Sequence, residues 1–182
     1  MKKIFFALAI AMLFLNLNAN ARVVQTPAQL LVERLHTLQQ RGIMFGHQDA
    51  LFYGTTWKWE SERSDVNDVC GDYPAVLGCD LGGLELGHDK NLDGVPFDMM
   101  RQQIVKHHRQ GGIITISWHP NNPVTGKNAW DTEGDAVTAV LPNGKEAAKM
   151  KLWHQRVANF LVSLKDDYGQ TIPVIFRPWH EM

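Results

Sequence analysis

Four short apolar runs in this chain each lead into a side chain able to do chemistry. His47 follows residues 43–46, Asp80 follows 75–79, His119 follows 113–118, and the run from residue 173 leads through Arg177 and His180 to Glu181. Imidazoles and carboxylates are the groups that transfer protons near neutral pH, and they are also zinc ligands. A zinc site built from His47, Asp80, His119, His180 and Glu181 is therefore one reading. Against it, barrel metallohydrolases commonly bring an H-x-H pair on the first strand, and the residue two places before His47 is Phe45. Cys70 and Cys79 form no C-x-x-C pair, which argues against a zinc ribbon, and spacing leaves open whether they are bridged or free. The carboxylates Asp65, Asp68, Asp89, Asp93, Glu133, Asp135, Asp166 and Asp167 fall in loops or on helix faces, where solvation is the usual reason for charge. The stretch from Asp89 to Gly94 lacks the acidic spacing and closing glutamate of a calcium loop.

Those four residues need elements to hold them. Thr26-Pro27 is a helix start, and Leu30, Leu31, Leu35 and Leu38 continue it at helical spacing until Gly42. Ile43-Met44-Phe45-Gly46 reads as a first strand, a short helix is expected around 64–69, and 75–80 is a second strand broken by Gly82-Gly83. Phe97, Met100, Ile104 and Val105 mark a helix over 97–110 that ends at Gly111-Gly112. A third strand covers 113–118, a polar loop leads to a helix over about 146–168, and a fourth strand covers 173–177. Strands that are continuously apolar and alternate with helices indicate a parallel sheet covered on both faces. An open doubly wound sheet commonly carries a Gly-rich phosphate loop after its first strand, and Gly46-His47-Gln48-Asp49 is no such loop. Ionisable residues at every strand end favour the (β/α)8 barrel, which builds its sites there.

Lys and Arg number 18 against 19 Asp and Glu, a balance that excludes the basic excess of a nucleic-acid-binding domain. Lys2 and Lys3, an apolar run over residues 4–15 and Ala19-Asn20-Ala21 make a secretory leader over 1–21, cleaved near Ala21-Arg22. The apolar run is too short for the roughly 20 residues that cross a bilayer, so no membrane insertion is expected after cleavage. The product is expected to be secreted or periplasmic. A complete barrel takes about 250 residues, so residues 22–182 are expected to be the N-terminal half of a longer catalytic domain, supplying about its first four strands.

The run Arg177-Pro178-Trp179-His180-Glu181-Met182 resembles the motif that holds the acid/base glutamate at the end of barrel strand four in glycoside hydrolase family 26, a family of secreted endo-β-1,4-mannanases. Phe45-Gly46-His47-Gln48, Gly71-Asp72-Tyr73-Pro74-Ala75-Val76 leading to Asp80, and Ser117-Trp118-His119 with Asn122-Pro123 are similar to that family at the three preceding strands. The resemblance runs from about Thr26 to Met182.

The resemblance implies a retaining (β/α)8 glycosidase acting on β-mannan, galactomannan or glucomannan without a cofactor or metal. Glu181 would be the acid/base, its pKa raised by partial burial and by the charge of a nucleophilic glutamate from strand seven, beyond this sequence. His180 and Arg177 would position the site, and His119 would contact the sugar. His47 and Asp80 would contact the sugar or hold the loops, and Trp118, Trp57 and Trp59 could stack on pyranose faces. Some members of the family cleave mixed-linkage β-glucan or xylan, so the sugar is less determined than the reaction. A secreted carbohydrate-binding module would also explain a leader and exposed tryptophans, but such modules are mostly β-sandwiches.

Overall fold

The computed structural model describes residues 24–180. The expected leader with its cleavage point, and Glu181, lie outside the described residues.

The first helix, α1 (Pro27–Leu38), opens on a reciprocal cap. Thr26 accepts from the Gln29 N–H through its hydroxyl, while the Gln29 side chain accepts from the Thr26 N–H at 2.8 Å. Such a cap contributes about 1 kcal/mol, and Pro27 at the first position costs no hydrogen bond. There follow β1 (Gly46–Gln48), α2 (Asp65–Cys70), β2 (Val76–Asp80), a 3-10 turn (Leu84–Leu86), α3 (Phe97–Arg109), β3 (Ile113–Ser117), α4 (Ala136–Val140), α5 (Ala147–Ser163) and β4 (Ile175–Arg177).

All three strand pairings are parallel, and the spatial order is β1-β2-β3-β4. A doubly wound sheet places later strands on both sides of the first. Here each strand lies beside its sequence neighbour, the order of successive barrel staves. The α/β architecture is thus four barrel-type βα steps.

Register assigns every strand residue to a face, because partners across a parallel pair point the same way. One row holds Leu77 and Ile114, the next equivalent row Cys79, Ile116 and Phe176. These belong to the core with Met100 and Ile104 of α3 and Trp153, Val157 and Phe160 of α5. Each such buried aliphatic or aromatic side chain contributes about 1.5–3 kcal/mol relative to exposure. The intervening positions face the other side of the sheet: Gln48, Gly78, Thr115 and Ile175 in one row, Asp80, Ser117 and Arg177 in the next.

Three expectations about elements need correction. The first strand begins at Gly46, not at Ile43, whose side chain is fully exposed. The ladder starts where the Val76 N–H reaches the Phe45 carbonyl. There Gly46 passes so close that an added Cβ would lie 3.2 Å from Val76 Cβ. The last helix stops at Ser163, five residues before Tyr168. Beyond it the Asp166 side chain accepts from the Tyr168 and Gln170 N–H groups, closing a turn through Gly169 at φ 76°, and Ile172 returns to the Leu164 carbonyl. Thirdly, the loop after β3 contains α4, whose Asp135 cap accepts from the Thr138 N–H. Cys70 is exposed and Cys79 buried, and both are free thiols. Among the described residues no helix is long and apolar enough to cross a membrane.

Candidate active site

The C-terminal ends of β2, β3 and β4 converge. Asp80, the last residue of β2, is 1% exposed. One of its oxygens accepts from the Gly82 N–H and the other from His119 Nδ1, each at 2.6 Å. This bond puts the Nδ1 proton on the Asp80 side of the ring and so sets the orientation of His119, which lies two residues past β3 and is 12% exposed at its side chain.

The residues after β4 are clipped onto the end of β3. The Trp118 N–H donates to the Arg177 carbonyl at 3.2 Å, and the His180 N–H to the Trp118 carbonyl at 3.1 Å. Between these bonds Trp179 takes φ 54°, a left-handed conformation uncommon for a side chain of this size, which bends the chain so that His180 returns over the sheet. The His180 and His119 rings then meet edge to face with centroids 4.8 Å apart. Arg177 reaches the same place from the strand itself: its Nε donates to the Thr115 hydroxyl at 3.0 Å, and a terminal nitrogen lies 3.2 Å from His180 Nε2. A guanidinium has no acceptor, so His180 Nε2 accepts and the His180 proton sits on Nδ1. A continuous chain therefore joins Thr115, Arg177, His180, His119 and Asp80, and Glu181 is the next residue in sequence.

The tertiary structure separates the expected contact residues by burial and by face. His47 shares its row with Leu77 and Ile114, so it points to the helix side of the sheet, with Nδ1 2.7 Å from the Gln48 carbonyl. Gln48 takes the inner position instead, its side chain lying across Gly78, where an added Cβ would meet Gln48 Oε1 at 2.2 Å. Trp118 is 1% exposed and offers no face to a sugar. It forms the floor, with Trp179 and His154 against its ring and its indole N–H donating to Glu85 at 3.1 Å. Asp80 is likewise sealed, and its carboxyl orients His119. Trp57 is core and donates to Asp65 at 2.6 Å, whereas Trp59 stays 38% exposed. Asp65 is no mere solvated acid: the Thr55 N–H foremost, then Trp57, hold its carboxyl below the usual carboxylate range.

Three contributors carried little sequence signal. Glu85 is fully buried and satisfied by the Gly83 N–H at 2.9 Å, Trp118 at 3.1 Å and the Asn121 N–H at 3.0 Å, tying the loop after β2 to the loop after β3. Its only mark in sequence is an acid between two leucines. Trp130 is 57% exposed and lies 5.7 Å from the His119 ring at a 33° tilt. With Leu86, His88 and Asn121 it lines a cleft of about 180 Å³ beside His119. Its loop is held by buried Asn122, which accepts from the Val124 and Thr125 N–H groups and donates to the Asp131 and Glu133 carbonyls. Asp49, at the end of β1, is buried beside Asp80, and its N–H continues the ladder to the Gly78 carbonyl.

As zinc donors, the described groups are already engaged with one another or with Arg177. Asp80 and His119 bond to each other, His180 accepts from Arg177, and among the described residues no three His, Cys, Asp or Glu side chains converge as a metal set.

Comparison with known proteins assigns the family. Residues 18–182 match the family model described as Glycosyl hydrolase family 26. A mannan endo-1,4-beta-mannosidase of Bifidobacterium adolescentis is 33% identical over 173 residues, covering 91% of this chain and 16% of that protein. Among solved structures, a GH26 beta-mannanase from Bacteroides ovatus is 45% identical with a TM-score of 0.82, over 86% of this chain and 46% of that one. An endo-beta-1,4-mannanase from Cellulomonas fimi is 34% identical with a TM-score of 0.75, over 86% of this chain and 36% of that one. The chain spans less than half the length of these relatives. With four parallel strands in barrel order, a His–Asp and Arg–His chain at their ends, and a family match reaching from residue 18 to residue 182, this chain belongs to glycosyl hydrolase family 26.

Proposed function

We propose that this chain is the N-terminal part of the catalytic domain of a secreted, retaining endo-β-1,4-mannanase acting on mannan, galactomannan or glucomannan, with Glu181 as the acid/base. The observation that carries the reading is the chain from Arg177 through His180 and His119 to Asp80, which ends directly before Glu181 in sequence. Breaking a glycosidic bond with retention needs a protonated carboxyl to deliver a proton to the leaving oxygen. It also needs a second carboxylate about 5–5.5 Å away to form and release a glycosyl-enzyme. The first role falls to Glu181, and the second to a glutamate contributed by another part of the protein. Arg177 fixes the tautomer of His180 and Asp80 that of His119, so both imidazoles are oriented before substrate arrives, which is the economical way to stabilise a developing charge. Trp130 beside His119 supplies an aromatic face of the kind on which a pyranose ring stacks.

In the full-length protein, Glu181→Gln is expected to lower kcat on mannan by at least ~10²-fold, the usual worth of general acid–base catalysis. An unchanged kcat would remove Glu181 from the role. Parallel assays on mannan, mixed-linkage β-glucan and xylan assign the sugar. Residues 1–21 we read as an export leader, so the exported protein should begin at Arg22 by N-terminal sequencing.

A further inference from the structure

Asp49 turns the chain out of β1 with φ 55°, its carbonyl accepting from the Phe52 N–H at 2.9 Å. Its side chain is 2% exposed; one oxygen accepts from the Tyr53 hydroxyl at 3.1 Å, while the other, Oδ1, is buried without a hydrogen-bond partner. The titratable groups facing it are Tyr53 from its own loop, Cys79 and Asp80 from β2 and Asp93 from the loop before α3, with His119 beyond Asp80. No Lys or Arg is among the described groups acting on it.

Two buried carboxylates at neighbouring strand ends repel, and the charge settles where it is better solvated. Asp80 has the Gly82 N–H and the His119 ring, one on each oxygen. Asp49 has only neutral donors, the Tyr53 hydroxyl and the nearby Gln48 amide, and its Oδ1 makes no close hydrogen bond. Burial, and after it the Asp93 charge, pushes the Asp49 pKa up to about 7, against the weaker opposing pulls of the Tyr53 and Gln48 hydrogen bonds.

We propose that Asp49 is a positioning residue of this site, working as a neutral carboxylic acid that leaves Asp80 the single buried carboxylate on which His119 is oriented. Losing the Asp49 proton puts a second negative charge beside Asp80. A charged Asp49, 2% exposed and with an oxygen that has no close donor, must draw water into the strand ends that hold Asp80 and His119, so the working arrangement is lost as pH rises. The consequence for activity rests on the glycosidase reading above; the protonation of Asp49 does not.

The test uses the full-length protein, as wild type, Asp49→Asn and Asp93→Asn. The pH profile of kcat/KM on β-mannan and the thermal unfolding midpoint from pH 4 to 9 are recorded for each. Asparagine still accepts from Tyr53 but cannot ionise, so the alkaline fall of the wild type, centred near the Asp49 pKa of about 7, should move up by a pH unit or more. Asp93→Asn, on an exposed loop, removes a charge that holds the Asp49 proton and should move the fall toward acid. The folded-state pKa lies above the unfolded value, so wild-type stability is full below about 4 and is lost as pH rises toward about 7. Asp49→Asn should lack that loss. Coincident profiles for wild type and Asp49→Asn, in activity or in unfolding, overturn the proposal. Should Asp49→Asn fail to fold, the direction of the Asp93→Asn shift decides. If the wild type cleaves no β-mannan, the glycosidase reading falls, and the unfolding series alone decides whether Asp49 is neutral.

Discussion

Trp118 and Trp130 are one residue type with opposite tasks, and burial separates them. Trp118 is closed in by Trp179 and His154 with its N–H spent on Glu85, so its removal empties the floor of the site. Trp118→Ala is expected to cost about 3–5 kcal/mol, read as a lower unfolding midpoint. Trp130 is more than half exposed beside His119, so Trp130→Ala should leave the midpoint nearly unchanged and raise KM on mannan by roughly three- to tenfold, the worth of one aromatic contact. A large stability loss in Trp130→Ala would show that the ring is structural. At the same scale, the tautomers of His119 and His180 are not properties of histidine. They are imposed by an acceptor on one ring and a donor on the other.

The elements place these residues through details that propensity alone does not reveal. Helix α3 delivers its apolar face to the sheet and then turns at Gly111, where φ is 87°. The next residue, Gly112, passes directly over the buried His107 ring, so that an added Cβ would lie 2.1 Å from His107 Nε2. Gly112→Ala forces either the helix end or the first residue of β3 to move. A loss of about 1–3 kcal/mol is expected, measured by denaturant unfolding. A neutral result would mean that His107 can leave its place without cost. The long excursion from Trp118 to α5 looked like polar loop because its helix α4 is a single turn and a half. Its order comes from Asn122 and Glu85, two buried side chains whose hydrogen bonds are all to loop backbone or to Trp118.

At the scale of the molecule, the order β1-β2-β3-β4 leaves β1 and β4 each paired on one side among the described residues. Ile43 and Phe45, beside β1, are 102% and 60% exposed. Unpaired edges next to exposed apolar side chains promote association between chains. Residues 22–182 expressed alone are therefore expected to aggregate and to show no mannanase activity, which size-exclusion chromatography and a reducing-sugar assay would check. A soluble monomer that cleaves mannan would refute both halves of that expectation.

The alternation of helix and strand, the ionisable residues at strand ends and the family were legible in the sequence. Each depends on residues within a few positions of one another: Thr26-Pro27 caps its own helix, glycines end theirs, and Arg177 to Glu181 is a contiguous motif. The face on which a strand residue emerges is different in kind, because moving the register by one residue reverses it. Only the pairing of β1 with β2 decided that Gln48, not His47, lies on the inner row. Likewise, only long-range packing decided that Trp118 is floor while Trp130 is exposed, that Glu85 is a buried tie, and that Asp49 is buried at the strand end next to that of Asp80 with no cationic partner among the described residues. Burial and the sharing of charge are properties of neighbours brought together across tens of residues, and no local pattern encodes them.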